Sequence, residues 1–450
     1  MSIHKQFFIS VASTLAASMI IMATGLVTGS LLARLLGAAG RGEFASIQLY
    51  GALFASICIS GLPAAVTYYT GVDTNKAGGY FLTGIAAALL LAIPVSLGGF
   101  IAIPYLLDSQ RTEVVSAARF YLTCIPMAIV NAFILACLLG QMKMLLWNLF
   151  RIMAAILWLI PVGYMFFYGV SDSIMVSKIY LLFVFLYSCV FFVILYRNLG
   201  GCMNFQKQLF RPMWSYGLPT SFATFSQQST LRLDQIFIAA MLPPQQLGIY
   251  VVSIAWSAAH SPLIGAVSYV IVPHMTRLNS LVDQSTAICR ITRTMVVINF
   301  LLTACLLAVT PASIQILFGT QFMGAVPIAY ILIAGSVFFN VKGVLAEGLR
   351  GMGRPKVIMK GELLGLVASL ILFPLLLSSN GLSGVAMASI IGHAVTFGFL
   401  LIMLRKHSRV LMKDLLFPRR EDISYLLSRM GDVLKYIKIF LYPKSGTKYA

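Results

Sequence analysis

The chain has 450 residues, of which 59% are apolar and only 10% charged. A soluble globular chain carries about 25% Asp, Glu, Lys and Arg, so this composition excludes a water-soluble enzyme and a disordered protein alike. The mean hydropathy of +0.91 points instead to a polytopic helical membrane bundle, in which roughly 20 apolar residues cross the hydrocarbon.

Apolar runs between turn and charge breaks predict twelve spans. The first six are Val11–Leu36, Phe44–Tyr69, Gly78–Leu107, Val114–Leu139, Trp147–Gly169 and Met175–Tyr196. The second six are Trp214–Met241, Leu247–Met275, Ala287–Pro311, Gly324–Leu349, Lys356–Ser378 and Gly384–Leu404. The N-terminal apolar run is longer than a signal-peptide core, so an uncleaved first span is expected. Past Leu404 the tail is basic. Its apolar residues from Ile423 to Leu441 fall at helical spacing between Arg429, Asp432, Lys435 and Lys438. That pattern predicts an amphipathic helix lying in the interface, with anionic lipids as its partners.

Thirty-two Lys and Arg against thirteen Asp and Glu leave a formal charge of +19. In a soluble protein this excess would suggest nucleic acid. In a membrane protein it marks the cytoplasmic side, so no nucleic-acid partner is expected. Lys76, Lys143, Arg151, Arg197, Lys207, Arg211, Arg277, Arg290, Arg354 and the tail fall on one side. Arg34, Arg41, Arg111, Arg119 and Lys178, with Glu43, Asp108, Glu113 and Asp172, fall on the other. Both termini are therefore expected in the cytoplasm. Seven single cysteines show no CxxC spacing, and no GxxxxGK[ST] loop occurs, so no metal, cofactor or catalytic residue is expected.

The chain compares with itself at an offset of about 206–211 residues. Gly42-Glu43-Phe44-Ala45 matches Gly248-Ile249-Tyr250-Val251, and the stretch from Asn131 to Lys143 matches that from Asn340 to Arg354. Six spans separate the copies, which predicts two parallel six-helix lobes related by an axis along the membrane normal. The expected domains are an N-terminal lobe over 1–197, a cytoplasmic linker over 198–213, a C-terminal lobe over 214–404 and a basic tail over 405–450.

Several of these stretches resemble one known family. They are Leu32-Ala33-Arg34-Leu35-Leu36-Gly37 through Ala45, Arg232-Leu233-Asp234-Gln235-Ile236-Phe237-Ile238, Val272-Pro273-His274 through Leu278, Gly348 through Pro355, and Asn380 through Ala386. In this order they resemble the polysaccharide-export, Wzx-type branch of the multidrug/oligosaccharidyl-lipid/polysaccharide exporter superfamily. The resemblance implies an all-α, twelve-helix transporter with two rocking lobes. Its cargo would be a polyprenyl-pyrophosphate-linked oligosaccharide, turned to the outer leaflet of a bacterial plasma membrane. A polymerase and glycosyltransferases of the same route are further candidate partners.

Ionisable residues inside spans are costly and usually face a cavity or a partner. Arg34, Arg232, Lys342, Arg290 and Arg293 together would form a ladder of cations for a pyrophosphate head group, because Arg forks and Lys charges both grip phosphate oxygens. Four of the five also have a plainer reading: helix cap or interfacial anchor for Arg34, salt bridge or snorkelling for Arg232, and positive-inside anchoring for Arg290 and Arg293. Asp234 is expected to hold a structural or gating partner, and Glu347 and Arg350 to pair locally. His260 and His393 are expected as packing residues. Arg34, Arg232 and Lys342 against Asp234 and Glu347 give the spans three bases to two acids, with no carboxylate within the first six. That balance argues against the nearest rival, a multidrug and toxin extrusion antiporter. The absence of a large outer loop argues against a glycan polymerase or ligase, and a count of twelve spans against a lipid II flippase.

Overall fold

The computed structural model describes residues 3–59, 61–199, 204–217, 232–261 and 280–408, with isolated positions at 271, 275, 278, 415, 417 and 419. Every regular element among them is helical. In chain order these are α1 (Ile3–Ile59), α2 (Leu62–Val72), α3 (Ala77–Leu106), α4 (Thr112–Tyr121), α5 (Ile125–Gly140), α6 (Met144–Tyr168) and α7 (Ser173–Asn198). A helix over 207–217 is α8. Then come α9 (Leu233–Met241), α10 (Pro244–Ser257), α11 (Leu281–Phe318), α12 (Ala325–Gly351) and α13 (Pro355–Ser408).

The chain is a multi-pass membrane protein. Among the described residues, eight helical runs are long and apolar enough to cross a bilayer. Two of these, Ser13–Ile59 and Pro355–Lys406, have 47 and 52 residues. At about 1.5 Å per residue each is more than twice the ~30 Å hydrocarbon thickness, so each has the length of two crossings. Both bend at one glycine outside helical geometry, Gly37 (φ 66°) in α1 and Gly381 (φ 56°) in α13. A side chain at positive φ is strained, and glycine is not. The expected loops before Phe44 and Gly384 are thus tight kinks rather than open connections.

Elsewhere prolines explain why expected spans come in pieces. The expected second span is split between α1 and α2, with Pro63 in the first turn of α2, and the fourth is interrupted by a 3-10 turn over Leu122–Cys124 just before Pro126. Pro lacks the N–H that would continue the ladder. The expected linker over 198–213 is helical in its second part, from residue 207. The seventh and eighth expected spans are described only in part, and the amphipathic helix expected from Ile423 to Leu441 lies outside the described residues.

Packing divides the surface from the core. On α3, Leu90, Ile93 and Leu97 are 69%, 68% and 62% exposed. Their spacing places them on one stripe, which is the face a bilayer covers. Facing inward, Ile47, Tyr50, Phe81, Ile103, Ile125 and Phe133 form a dry core that continues into Leu247, Tyr250 and Phe373. A second cluster joins Ala33 and Ala38 of α1 to Val252 and Trp256 of α10 and to Ile314 and Phe318 of α11.

Candidate functional site

The seam between α1 and α10 organises the site. Gly42 and Gly248 let the two backbones approach: a Cβ on Gly42 would lie 1.7 Å from the Pro244 carbonyl oxygen, and one on Gly248 would lie 2.0 Å from that of Ala38. No larger residue fits at either position. Below this closed end, toward the chain's N-terminus, α1, α6 and α10 diverge around a cavity of about 430 Å³. Ser18, Gly25, Arg151, Ala258 and Ser261 are among its lining residues, and no carboxylate is among the described ones.

Among the described lining residues, Arg151 is the one ionisable side chain. It sits two turns into α6, with its guanidinium 4.4 Å from the centre of the Trp147 ring one turn back. Its Nη2 donates to Ser18 Oγ at 3.4 Å, and its Nη1 is buried without a hydrogen-bond partner. Stacking on the indole fixes the planar fork while leaving donors for an anion. Sequence reasoning had assigned Arg151 to the basic flank, although it stands four residues inside the span expected to start at Trp147. The i, i+4 pairing with that Trp was the available signal.

Of the residues expected from sequence, Arg34 crosses the seam. Its Nε donates to the Leu317 carbonyl at 2.9 Å and its Nη2 to that of Ile316, while Ser30 Oγ also donates to Leu317. These are carbonyls of the last turn of α11, which have no partners within the helix, and a cation is favoured there by the helix dipole. The structure therefore gives Arg34 the cap geometry, with its fork turned to a helix end.

Lys342 is buried in α12, and its Nζ meets Glu362 Oε1 and Oε2 of α13 at 3.1 and 2.9 Å. Glu362 is not among the residues expected from sequence, although it lies within the expected span Lys356–Ser378. It is 5% exposed, which changes the balance of buried charges. Glu43, placed in a loop, is a second such correction. It is 7% exposed in α1, bridged by Arg111 at 2.8 Å and by Ser173 Oγ at 2.6 Å. The expectation of no buried carboxylate in the first six spans does not hold.

Arg232 lies not within a continuous helix but at the N-cap of α9 (φ −127°), where the positive end of the dipole disfavours a cation. Asp234, two residues on, suits that position. It is 6% exposed, accepts from Tyr250 Oη at 2.8 Å and takes the Gln235 backbone N–H at 2.7 Å. Glu347 and Arg350 form a local ion pair at 2.7 Å. Arg290 and Arg293 lie in the first half of α11, the former exposed and the latter 8% exposed, so they do not share one solvent face. His260 Nε2 is 2.7 Å from Asn340 Nδ2, which also donates to Asn299 Oδ1 at 2.9 Å, and His393 packs against the Phe339 ring.

The family described as "Polysaccharide biosynthesis protein" matches residues 9–279. No curated protein matches the chain. Among solved structures, an inward-facing multidrug resistance MATE transporter of the MOP superfamily has a TM-score of 0.65 at 16% identity, covering 88% of this chain and 94% of its own. The lipid II flippase MurJ in an inward closed conformation has a TM-score of 0.65 at 15% identity, covering 95% of this chain and 98% of its own. An outward-facing MATE transporter reaches 0.63 at 14% identity. With 98% of the MurJ chain covered, span number no longer separates this fold from a lipid II flippase. The matched family and the shared MOP-superfamily fold agree: the chain belongs to the polysaccharide biosynthesis protein family.

Proposed function

We propose that the chain is a flippase that carries a polyprenyl-pyrophosphate-linked oligosaccharide from the inner to the outer leaflet of a bacterial plasma membrane, for synthesis of a surface polysaccharide such as O-antigen, capsule or exopolysaccharide. It is a transporter rather than an enzyme, with twelve spans in two six-helix lobes and both termini cytoplasmic. The lobes rock about the α1–α10 seam, so that the cavity beneath it faces first one leaflet and then the other.

The observation that carries this reading is the lining of the 430 Å³ cavity, which among the described residues has Arg151 and no carboxylate. An anionic head group suits it, whereas a cationic drug would meet only repulsion. Arg290 and Arg293 serve as the inner docking point and Arg151 as the grip inside. Arg34 is bound to the α11 end while the seam is closed and becomes free to meet phosphate when it parts. Lys342 contributes to the ladder only if Glu362 releases it, and Arg232 only from the N-cap of α9. With no P-loop in the sequence, the membrane potential is one available drive, worth about 2.3 kcal/mol per charge per 100 mV.

The test is lipid analysis of a strain deleted for this chain, complemented with wild type or with Arg151→Ala. Polyprenyl-pyrophosphate glycans extracted from the deletion strain should accumulate as a complete repeat unit. Wild type should clear them, and the variant should not. Unchanged glycan lipids together with altered sensitivity to cationic dyes would instead support drug export.

A further inference from the structure

A second and larger concavity lies away from the seam. It is a groove of about 1140 Å³ between α4 and α7, at or above the upper end of ordinary small-ligand pockets. Its two sides are chemically divided along their length. At the end distal to the N-terminus stand Glu113, Ser116 and Lys178, all exposed. Farther in, the lining becomes Phe120, Met127, Leu182 and Phe185.

Length and charge identify the occupant. The lining on α7 runs from Ile174 to Phe185, about 16 Å at 1.5 Å per residue, or close to half of the ~30 Å hydrocarbon. A groove for a partner's membrane helix would continue across the bilayer, whereas this one is as deep as a single leaflet. Glu113 and Lys178 have no ion-pair partner among the described residues. One acid and one base at the polar rim complement a head group that carries one cation and one anion. A purely anionic head would gain Lys178 and be repelled by Glu113.

We propose that this groove is a binding site for a zwitterionic phospholipid of the aminoethyl-phosphate type, taken from the leaflet distal to the N-terminus. Its ammonium is held by Glu113, its phosphate by Lys178 and the Ser116 hydroxyl, and its acyl chains lie along Phe120, Leu182 and Phe185. The site is remote from the α1–α10 cavity and does not depend on what the protein transports.

Native mass spectrometry of the full chain in detergent tests it, with titration of phosphatidylethanolamine, phosphatidylglycerol and a polyprenyl phosphate. Phosphatidylethanolamine should give the most persistent adduct. Glu113→Ala/Lys178→Ala should weaken it about tenfold, and the swap Glu113→Lys/Lys178→Glu should restore most of it. Leu182→Trp, which fills the groove and leaves both charges, should also remove the adduct, and a thermal melt of each variant verifies folding. Equal retention of phosphatidylethanolamine and phosphatidylglycerol in all variants would overturn the proposal. So would preferential retention of the polyprenyl phosphate, which would assign the groove to the cargo's tail. Glycan export itself is read separately, from the deletion strain.

Discussion

Gly42 and Gly248 occupy the same position in two similar stretches of the sequence, and in the folded chain they touch each other. A Cβ on either would lie 3.0 Å from the other's backbone nitrogen. A position can meet its own copy only close to the axis that relates the copies. In the proposed two-lobe arrangement the axis would therefore pass through the closed end of the seam, where a rocking motion would pivot or part.

Gly42→Leu should hold the seam apart, since its side chain would overlap the Pro244 carbonyl. A cysteine replacing the fully buried Ala33 reports this through labelling by a membrane-impermeant maleimide, measured against the same variant without it. We expect labelling to accelerate at least about tenfold. An unchanged rate would mean that the seam is not the barrier.

Arg34→Ala should loosen the same seam from the other side by freeing the last carbonyls of α11. Hydrogen bonds to a charged group contribute about 1.5–3 kcal/mol, which shifts a closed-to-open ratio by roughly 10- to 100-fold. Arg34→Lys should recover only part, because an ammonium lacks the planar fork that reaches two carbonyls. The cysteine at position 33 gives the readout, and equal labelling of Arg34→Lys and wild type would contradict the fork argument.

Lys342→Met or Glu362→Gln alone should destabilise the chain by about 3–5 kcal/mol, because each leaves an unmatched buried group. Lys342→Met/Glu362→Met should regain most of that loss in a thermal melt. Export by the stable double variant then decides whether Lys342 belongs to the cation ladder: full activity would remove it. Export by Arg232→Ala/Lys342→Ala tests the two remaining rungs together, and retained export there would refute a ladder that includes them.

Tyr250→Phe should cost about 1–3 kcal/mol, since it removes the phenol donor from the buried Asp234 carboxylate without changing volume. Tyr250→Phe/Asp234→Leu should cost less than Tyr250→Phe alone. A melt showing the reverse order would mean that Asp234 is held chiefly by its own helix N-terminus.

What could be read from the sequence depended on the length scale involved. Runs of about 20 apolar residues identified the spans, and the local pairing of Glu347 with Arg350 followed from helical spacing. Glu362 and Glu43 were hidden because each stands beside lysines, arginines and glycines near a span end. Only the partners brought by other helices, Lys342 in one case and Arg111 in the other, show that these carboxylates are buried. Arg151 was misplaced by four residues of span boundary. Arg34 was seen as a candidate, but the carbonyls it binds are nearly three hundred residues away, a pairing no local pattern contains.

The bend at Gly381 bears on how the protein is made. Between Glu362 and Arg405 the chain has no Asp, Glu, Lys or Arg, and helix continues through the bend on both sides. A hairpin of this kind can enter the bilayer in one step, with nearly all backbone polar groups satisfied internally and no charged loop to drag through hydrocarbon. Lys356 and Lys360 at one end and Arg405 and Lys406 at the other then hold both feet on the same side. In the proposed twelve-span topology, the basic residues at both ends of this hairpin would favour the cytoplasmic side for each foot.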